Sequence, residues 1–472
     1  MKKDRSVGYK KGSPHQPKHP TQENLCKISE DQRLKKLNPS SQPKPLMTLT
    51  EIKSALPESK LRHGAQWLFS PEPFKISKKE AREIESLGHS LAMFQKASDS
   101  IYQRSALGRL PEWISNLLDT GKPDWMVETQ RSVELRDAMP RVIRPDLILT
   151  DRETTNGYAL TELDSVPGGM GIATWLSQVY SAHGFEIFGG ANGIAEGFKS
   201  LMPDGGKVLV SEEPADYMPE MSWLAEQIGE EFQVIKAEED DAKDDSDRYR
   251  FLEWFDWENI PAAKELASRT NLTSPCKPHL EEKLWLALLW SPALKGLWEK
   301  EMRGSHLKRV RDVVPFGWVM DPAPLPPHGA LPRLGVNSWE EVGKFSQKDR
   351  RLVAKISGFN ELAWGSKSVT IGHDLSGDDW SAAIKNATDD FTTQPWMMQQ
   401  YEPGRVVEHP YFDQETGEVK IMKGRVRLCP YYFIDGKGKT KMGGTMATIV
   451  PADKKKIHGM RDGILVPCMV EQ

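Results

Sequence analysis

Cysteine is scarce in this chain: Cys26, Cys276, Cys429 and Cys468 are the only four in 472 residues. They are far apart and match no Cys-x-x-Cys spacing, which argues against a disulfide-built scaffold. A reducing, cytoplasmic compartment is the expectation that follows. No apolar run approaches the roughly 20 residues needed to span a bilayer, and no apolar signal core follows Met1. Neither sign of charge dominates, since 63 Lys and Arg stand against 67 Asp and Glu for a net charge of −4. Bulk electrostatics therefore point to neither nucleic acid nor an anionic membrane as partner. A Gly-x-Gly-x-x-Gly turn after a strand is missing, which disfavours a dinucleotide site, and no Walker A loop is present.

What is there suits a large globular enzyme. Hydrophobic residues make up 38% and charged residues 28%, an ordinary balance for a protein with a sizeable core. Residues 1–45 are rich in Lys, Pro, Ser, Gln and His and are expected to be a disordered basic tail. Residues 46–190 combine a helical region with a hairpin. Ser77 and Glu80 form a capping box ahead of Ala81, Ile84, Leu87, Leu91 and Phe94. Residues 191–275 alternate: short strands at 205–211 and 232–235 flank an amphipathic helix at 219–228, the pattern of a small parallel, Rossmann-like unit. In residues 276–472 the pattern predicts a helix over 280–297, strands at 352–356 and 369–372, a capped helix over 376–387 and a strand from 395. It further predicts a strand pair over 420–433 and a strand over 440–450. The fold class is α/β, of the α+β kind. Most of the 15 tryptophans fall in apolar patterns and are expected in the core.

The chemistry concentrates in a hairpin. Two alternating runs, 144–150 and 158–164, flank a polar turn and lead into Pro167-Gly-Gly-Met-Gly171. Arg144, Asp146 and Ile148 share one strand face, and Tyr158, Leu160, Glu162 and Asp164 share the other's. If Thr150 pairs with Tyr158, Asp146 faces Glu162 and Arg144 faces Asp164. Like charges opposed on paired strands are destabilising, and one arginine does not offset three carboxylates. A hard cation such as Mg2+ would; ordinary solvated surface charge is the plainer alternative. The glycines before residue 172 offer either an anion site at a helix start or only a tight turn.

A second informative block follows. Lys355 ends a strand beside the loop 357–368, which carries Ser357, Gly358, Gly365 and Ser366. A lysine facing a Gly/Ser loop suits a phosphate chain, with the ammonium as a point charge and loop N–H groups around the oxygens. Arg425 and Arg427 alternate onto one face, where surface ion pairing is the bland reading.

Together these blocks resemble the circularly permuted ATP-grasp proteins, among them the synthetase domain of glutathionylspermidine synthase. The matching residues are Arg144, Asp146, Glu162 and Asp164, with Asp164 standing where those enzymes have Asn. Lys283, opening a helix, resembles a second phosphate lysine. Lys355 with the loop, and then Gln399, Gln400 and Tyr401 as an adenine hinge, complete the permuted order over about residues 130–450. The resemblance implies an ATP-grasp fold with a pre-ATP-grasp segment over 191–275, ATP and Mg2+ as cofactors, and small-molecule carboxylate and amine substrates. It implies Asp146, Glu162 and Asp164 as metal ligands, and Lys283, Lys355, Ser357, Gly358, Gly365, Ser366 and the hinge around the nucleotide. Arg144, with Arg425 or Arg427, would stabilise the transferring group. The activity implied is ATP-dependent carboxylate–amine ligation through an acyl phosphate. A nucleotide binder without ligase activity and a phosphotransferase on the same fold stay open.

Overall fold

Among the described residues sixteen strands build three sheets, and the sequence pattern explains most of them. In the computed structural model the described residues are 47–61, 66–151, 157–326, 328–363, 365, 367–457 and 461–472. The expected basic tail lies outside them. In chain order the strands are β1 (Gln66–Leu68), β2 (Phe74–Ile76), β3 (Val142–Leu149), β4 (Tyr158–Asp164), β5 (Gly206–Val210), β6 (Phe232–Lys236), β7 (Arg248–Phe251) and β8 (Leu272–Thr273). Then come β9 (Gly317–Val319), β10 (Leu352–Ile356), β11 (Thr370–Ile371), β12 (Trp396–Gln400), β13 (Val406–Phe412), β14 (Val419–Ile434), β15 (Thr440–Pro451) and β16 (Arg461–Val470).

The largest sheet runs β1-β16-β15-β14-β3-β4, with β13 added beside β14 and β2 beside β16. It joins strands more than 250 residues apart in sequence, since β14 pairs with β3 through Arg427–Ile148 and Tyr432–Ile143. Instead of the expected strand pair over 420–433, one 16-residue strand runs through. The ladder to β3 lapses between Leu428 and Tyr432, where Pro430 has no N–H to give. A second sheet, β11-β10-β12-β9, is antiparallel. The third, β6-β5-β7-β8, is parallel throughout, as the strand–helix–strand spacing predicts.

The helix Lys78–Ala106 starts at the predicted capping box: Ser77 Oγ accepts from the Glu80 amide, and Glu80 Oε2 accepts from the Ser77 amide at 2.7 Å. Its apolar face is buried, and Tyr432 Oη donates to the Ile84 carbonyl at 2.6 Å, tying the helix to β14. The run 280–297 is not one helix. It breaks into Pro278–Glu281, Leu284–Leu288, Pro292–Leu294 and Lys295–Glu301. Pro292 removes a donor and holds Ser291 extended. Residues 284–289 are buried all round, so their hydrophobicity carries no helical period. Trp254, Trp257, Trp285, Trp298 and Trp380 are core residues, as expected, while Trp113 is 43% exposed. Among the described residues no helix is long and apolar enough to cross a membrane.

Candidate functional site

The hairpin of β3 and β4 pairs Arg144 with Asp164 and Asp146 with Glu162, the partners predicted. Nearer the turn the register differs by one, because Tyr158 faces Leu149 rather than Thr150. Thr161 takes up the difference as a β-bulge, one extra residue on β4. The bulge reverses the parity of β4. Tyr158 and Leu160, expected on the carboxylate face, instead point into the core and are buried at 2% and 0%. Glu162 and Asp164 stay on the cleft side with Asp146. The Thr161 carbonyl accepts from Lys355 Nζ at 2.6 Å, which ties the bulge to β10.

The hairpin's acidic excess is neutralised from elsewhere in the fold. Arg144 lies 3.3 Å from Asp146 and 3.1 Å from Asp164. Arg427, on β14, contacts Asp146 at 2.7 Å, and Lys283 contacts Glu162 at 2.8 Å. With Lys355 beside them, four cations stand against three carboxylates, so the electrostatic case for a metal made from the hairpin alone no longer holds. Burial opposes ionisation of Asp146, but Arg144 and Arg427 outweigh it and hold its pKa below the usual range. Burial likewise opposes ionisation of Glu162, and Lys283 overrides it. For Asp164 burial prevails, with the Glu162 charge adding to it against Arg144, and its pKa is raised. Burial pushes the Lys355 ammonium down to about 8.

Two cavities meet at these charges. The larger, about 390 Å³, is lined by Arg144, Asp164, Glu213, Tyr217, Glu253 and Glu281 among others. The smaller, about 130 Å³, is lined by Lys355, Gln399, Gln400, Tyr401 and Arg425 with the apolar Ile148 and Val353. Asp146, Glu162, Lys283 and Arg427 line both. In the smaller chamber Lys355 Nζ donates to Gln399 Oε1 at 3.0 Å across the β10–β12 pair. Tyr401 stacks edge-on against His373, 4.5 Å between ring centroids.

The predicted phosphate loop divides differently from expectation. Gly358 and Gly365 line the larger chamber, not the one holding Lys355. Ser357 lines neither. It is fully buried, and its Oγ donates to Glu282 and accepts from the Leu284 amide at 3.0 Å. Ser366 lies outside the described residues. Arg425 faces the smaller chamber and bonds the Gly404 and Lys454 carbonyls at 3.3 and 3.1 Å, while Arg427 reaches both chambers. Lys283 stands immediately before the short helix Leu284–Leu288, as its position in the sequence suggests. At the end of the hairpin Gly169 has φ +85 and precedes the helix Met170–Ala182; a side chain there would be strained.

Several residues escape a sequence reading. Glu213, Glu253 and Glu281 give the larger chamber an acidic wall. Burial first, then the Glu281 and Asp164 charges, push the Glu253 carboxyl up to about 8. Glu281 and Glu282 directly precede Lys283, which is a usable signal; Lys122, which pairs with Glu282, carries none.

No protein-family model and no curated protein matches this chain. A solved structure does match. It is a glutathione synthetase-like effector (GSS30) from Globodera pallida in apo form, at a TM-score of 0.54 and 12% identity. The alignment covers 90% of this chain and 96% of that one. At that identity the likeness shows a shared fold, a mixed α/β glutathione synthetase-like architecture. That structure is of a glutathione synthetase-like protein and not of a glutathionylspermidine synthase.

Among the described residues no three His, Cys, Asp or Glu side chains converge as a ready metal cage. Asp146, Glu162 and Asp164 nevertheless fit Mg2+ in donor chemistry, being hard carboxylates on one cleft face. Asp164, with its raised pKa, is the least neutralised of them and the one a cation would relieve most.

Proposed function

We propose that this protein is an ATP- and Mg2+-dependent ligase that joins a carboxylate to an amine through an acyl phosphate. The observation that carries the reading is the wall common to both chambers, made by Asp146, Glu162, Lys283 and Arg427. A reaction that passes a phosphoryl group from a nucleotide to an acceptor needs two sites meeting at charged groups. The glutathione synthetase-like fold of the neighbouring structure supports the same class.

In this reading the smaller chamber takes the nucleotide. Gln399, Gln400 and Tyr401 face the base between Ile148 and Val353, and Lys355 holds phosphate oxygens. Asp146, Glu162 and Asp164 would hold Mg2+, which would supply positive charge against the phosphates. Lys283 exchanges Glu162 for phosphate, since its ammonium has three N–H donors. Arg144 and Arg427 stabilise charge on the transferring group. The larger chamber takes the carboxylate and amine substrates, with Gly358 in its lining.

The test is phosphate release from ATP and Mg2+ with mixed carboxylates and amines, for the native chain and for Glu162→Ala. Amide product with release abolished in the variant supports the ligase. Undiminished turnover in Glu162→Ala overturns the metal assignment. ATP binding without release marks a binder, and a phosphorylated acceptor without amide marks a phosphotransferase.

A further inference from the structure

The segment 277–283, which delivers Lys283 to the shared wall, is anchored at successive polar side chains. Lys277 Nζ contacts Asp99 at 2.9 Å, His279 bonds Asp99 and Gln130 at 3.0 and 2.9 Å, and Glu281 pairs with Arg250. Glu282 differs from the others because it ties the segment to the glycine loop. Its carboxylate accepts from Lys122 Nζ, beyond the helix Trp113–Asp119, and from Ser357 Oγ at the root of the glycine loop. All three are buried, Lys122 and Glu282 with 0% and 4% of their side chains exposed and Ser357 at 0%. Ser357 returns two bonds to the Lys283 turn: its carbonyl accepts from the Lys283 amide at 3.2 Å and its Oγ from the Leu284 amide at 3.0 Å. At the far side of the loop the Ala363 carbonyl accepts from Lys283 Nζ at 3.1 Å. Gly358 completes the joint. A Cβ there would come within 2.9 Å of the Glu282 carboxyl group, so the loop packs on that carboxylate only without a side chain.

We infer that Glu282 is a positioning residue. It fixes the glycine loop to the turn that aims Lys283, so that loop and lysine move as one unit. The effect on nucleotide rests on the proposed function; the coupling of loop and turn does not. A buried ion pair is not needed for stability as such, since an apolar pair of similar volume often replaces one without loss. That separates positioning from a structural role.

The experiment compares the native chain, Glu282→Gln, and the double variant Lys122→Met with Glu282→Met. Hydrogen exchange of amides 357–363 and 283–288 is followed without nucleotide, and ATP affinity is measured by calorimetry. Faster exchange confined to these two stretches in Glu282→Gln is expected, with ATP affinity lowered roughly tenfold, the scale typical when a supporting hydrogen bond is lost. The double variant is expected to keep native thermal stability yet retain the fast exchange and weak binding. Unchanged exchange in Glu282→Gln overturns the inference, as does a double variant that recovers slow exchange. If the native chain binds no ATP, the proposed function fails, and the exchange data alone decide this inference.

Discussion

Asp146 faces Glu162 across the β3–β4 pair while Leu147 faces Leu160, so Thr161 stands between Leu160 and Glu162 as an extra residue whose carbonyl accepts from Lys355. Removing Thr161 would leave Leu160 opposite Leu147 and Glu162 opposite Asp146 in plain alternation, so the carboxylates would keep their side while Lys355 lost the carbonyl it donates to. A single-residue deletion at Thr161 is therefore expected to weaken ATP binding, because it removes the carbonyl that holds the Lys355 ammonium while the carboxylates keep their face. Calorimetric titration on deletion protein with a native circular dichroism spectrum checks it. Replacement by Ser, which keeps the count and the carbonyl to Lys355, is expected to retain binding.

Asp146 is held by two arginines on different strands. Asp146→Asn leaves them short of their shared anion in a buried place, and a loss of about 3 kcal/mol is expected. The denaturant midpoint measures it. Lys420→Ala, which breaks an exposed pair with Asp413, should leave the midpoint nearly unchanged.

Lys355 has a pKa lowered by burial to about 8. Its charged form, the one that would hold phosphate in the proposed function, is lost as pH rises through that value. ATP turnover is expected to decline above about pH 8 for this reason. Lys355→Arg, whose guanidinium does not deprotonate in this range, should move the decline to higher pH, whatever its effect on the maximum rate.

Glu253 gives a pH dependence of stability rather than of turnover. Its folded pKa of about 8 lies above the ordinary 4.5, so the folded state binds the proton more tightly than the unfolded chain. Its contribution to stability is complete below about pH 4.5 and is lost as pH rises through about 8. Glu253→Gln should gain stability over the native chain between pH 5 and pH 9, by on the order of 1 kcal/mol. Melting temperatures of both proteins at the two pH values test the sign.

The hairpin, the parallel unit and the long capped helix were legible because alternation, strand–helix–strand spacing and a capping box are local signals. The bulge was not, since Thr161 looks like any strand residue. The neutralisation of Asp146 was not either, because Arg427 lies 281 residues further along and only the sheet brings them together. The break in the run 280–297 was hidden because residues 284–289 are buried on every side, which erases periodicity. Glu282 and Lys122 show the same limit: a buried ion pair is written in the fold, and each partner alone reads as surface charge.

The wall common to both chambers has a consequence for inhibitor design. A fragment seated in the smaller chamber and one seated in the larger would each touch Asp146, Glu162, Lys283 and Arg427. A short linker between two such fragments makes the second contact intramolecular and multiplies their separate affinities. Weak fragments found independently for the two chambers can thus be merged into one bisubstrate compound, with these four side chains as its midpoint.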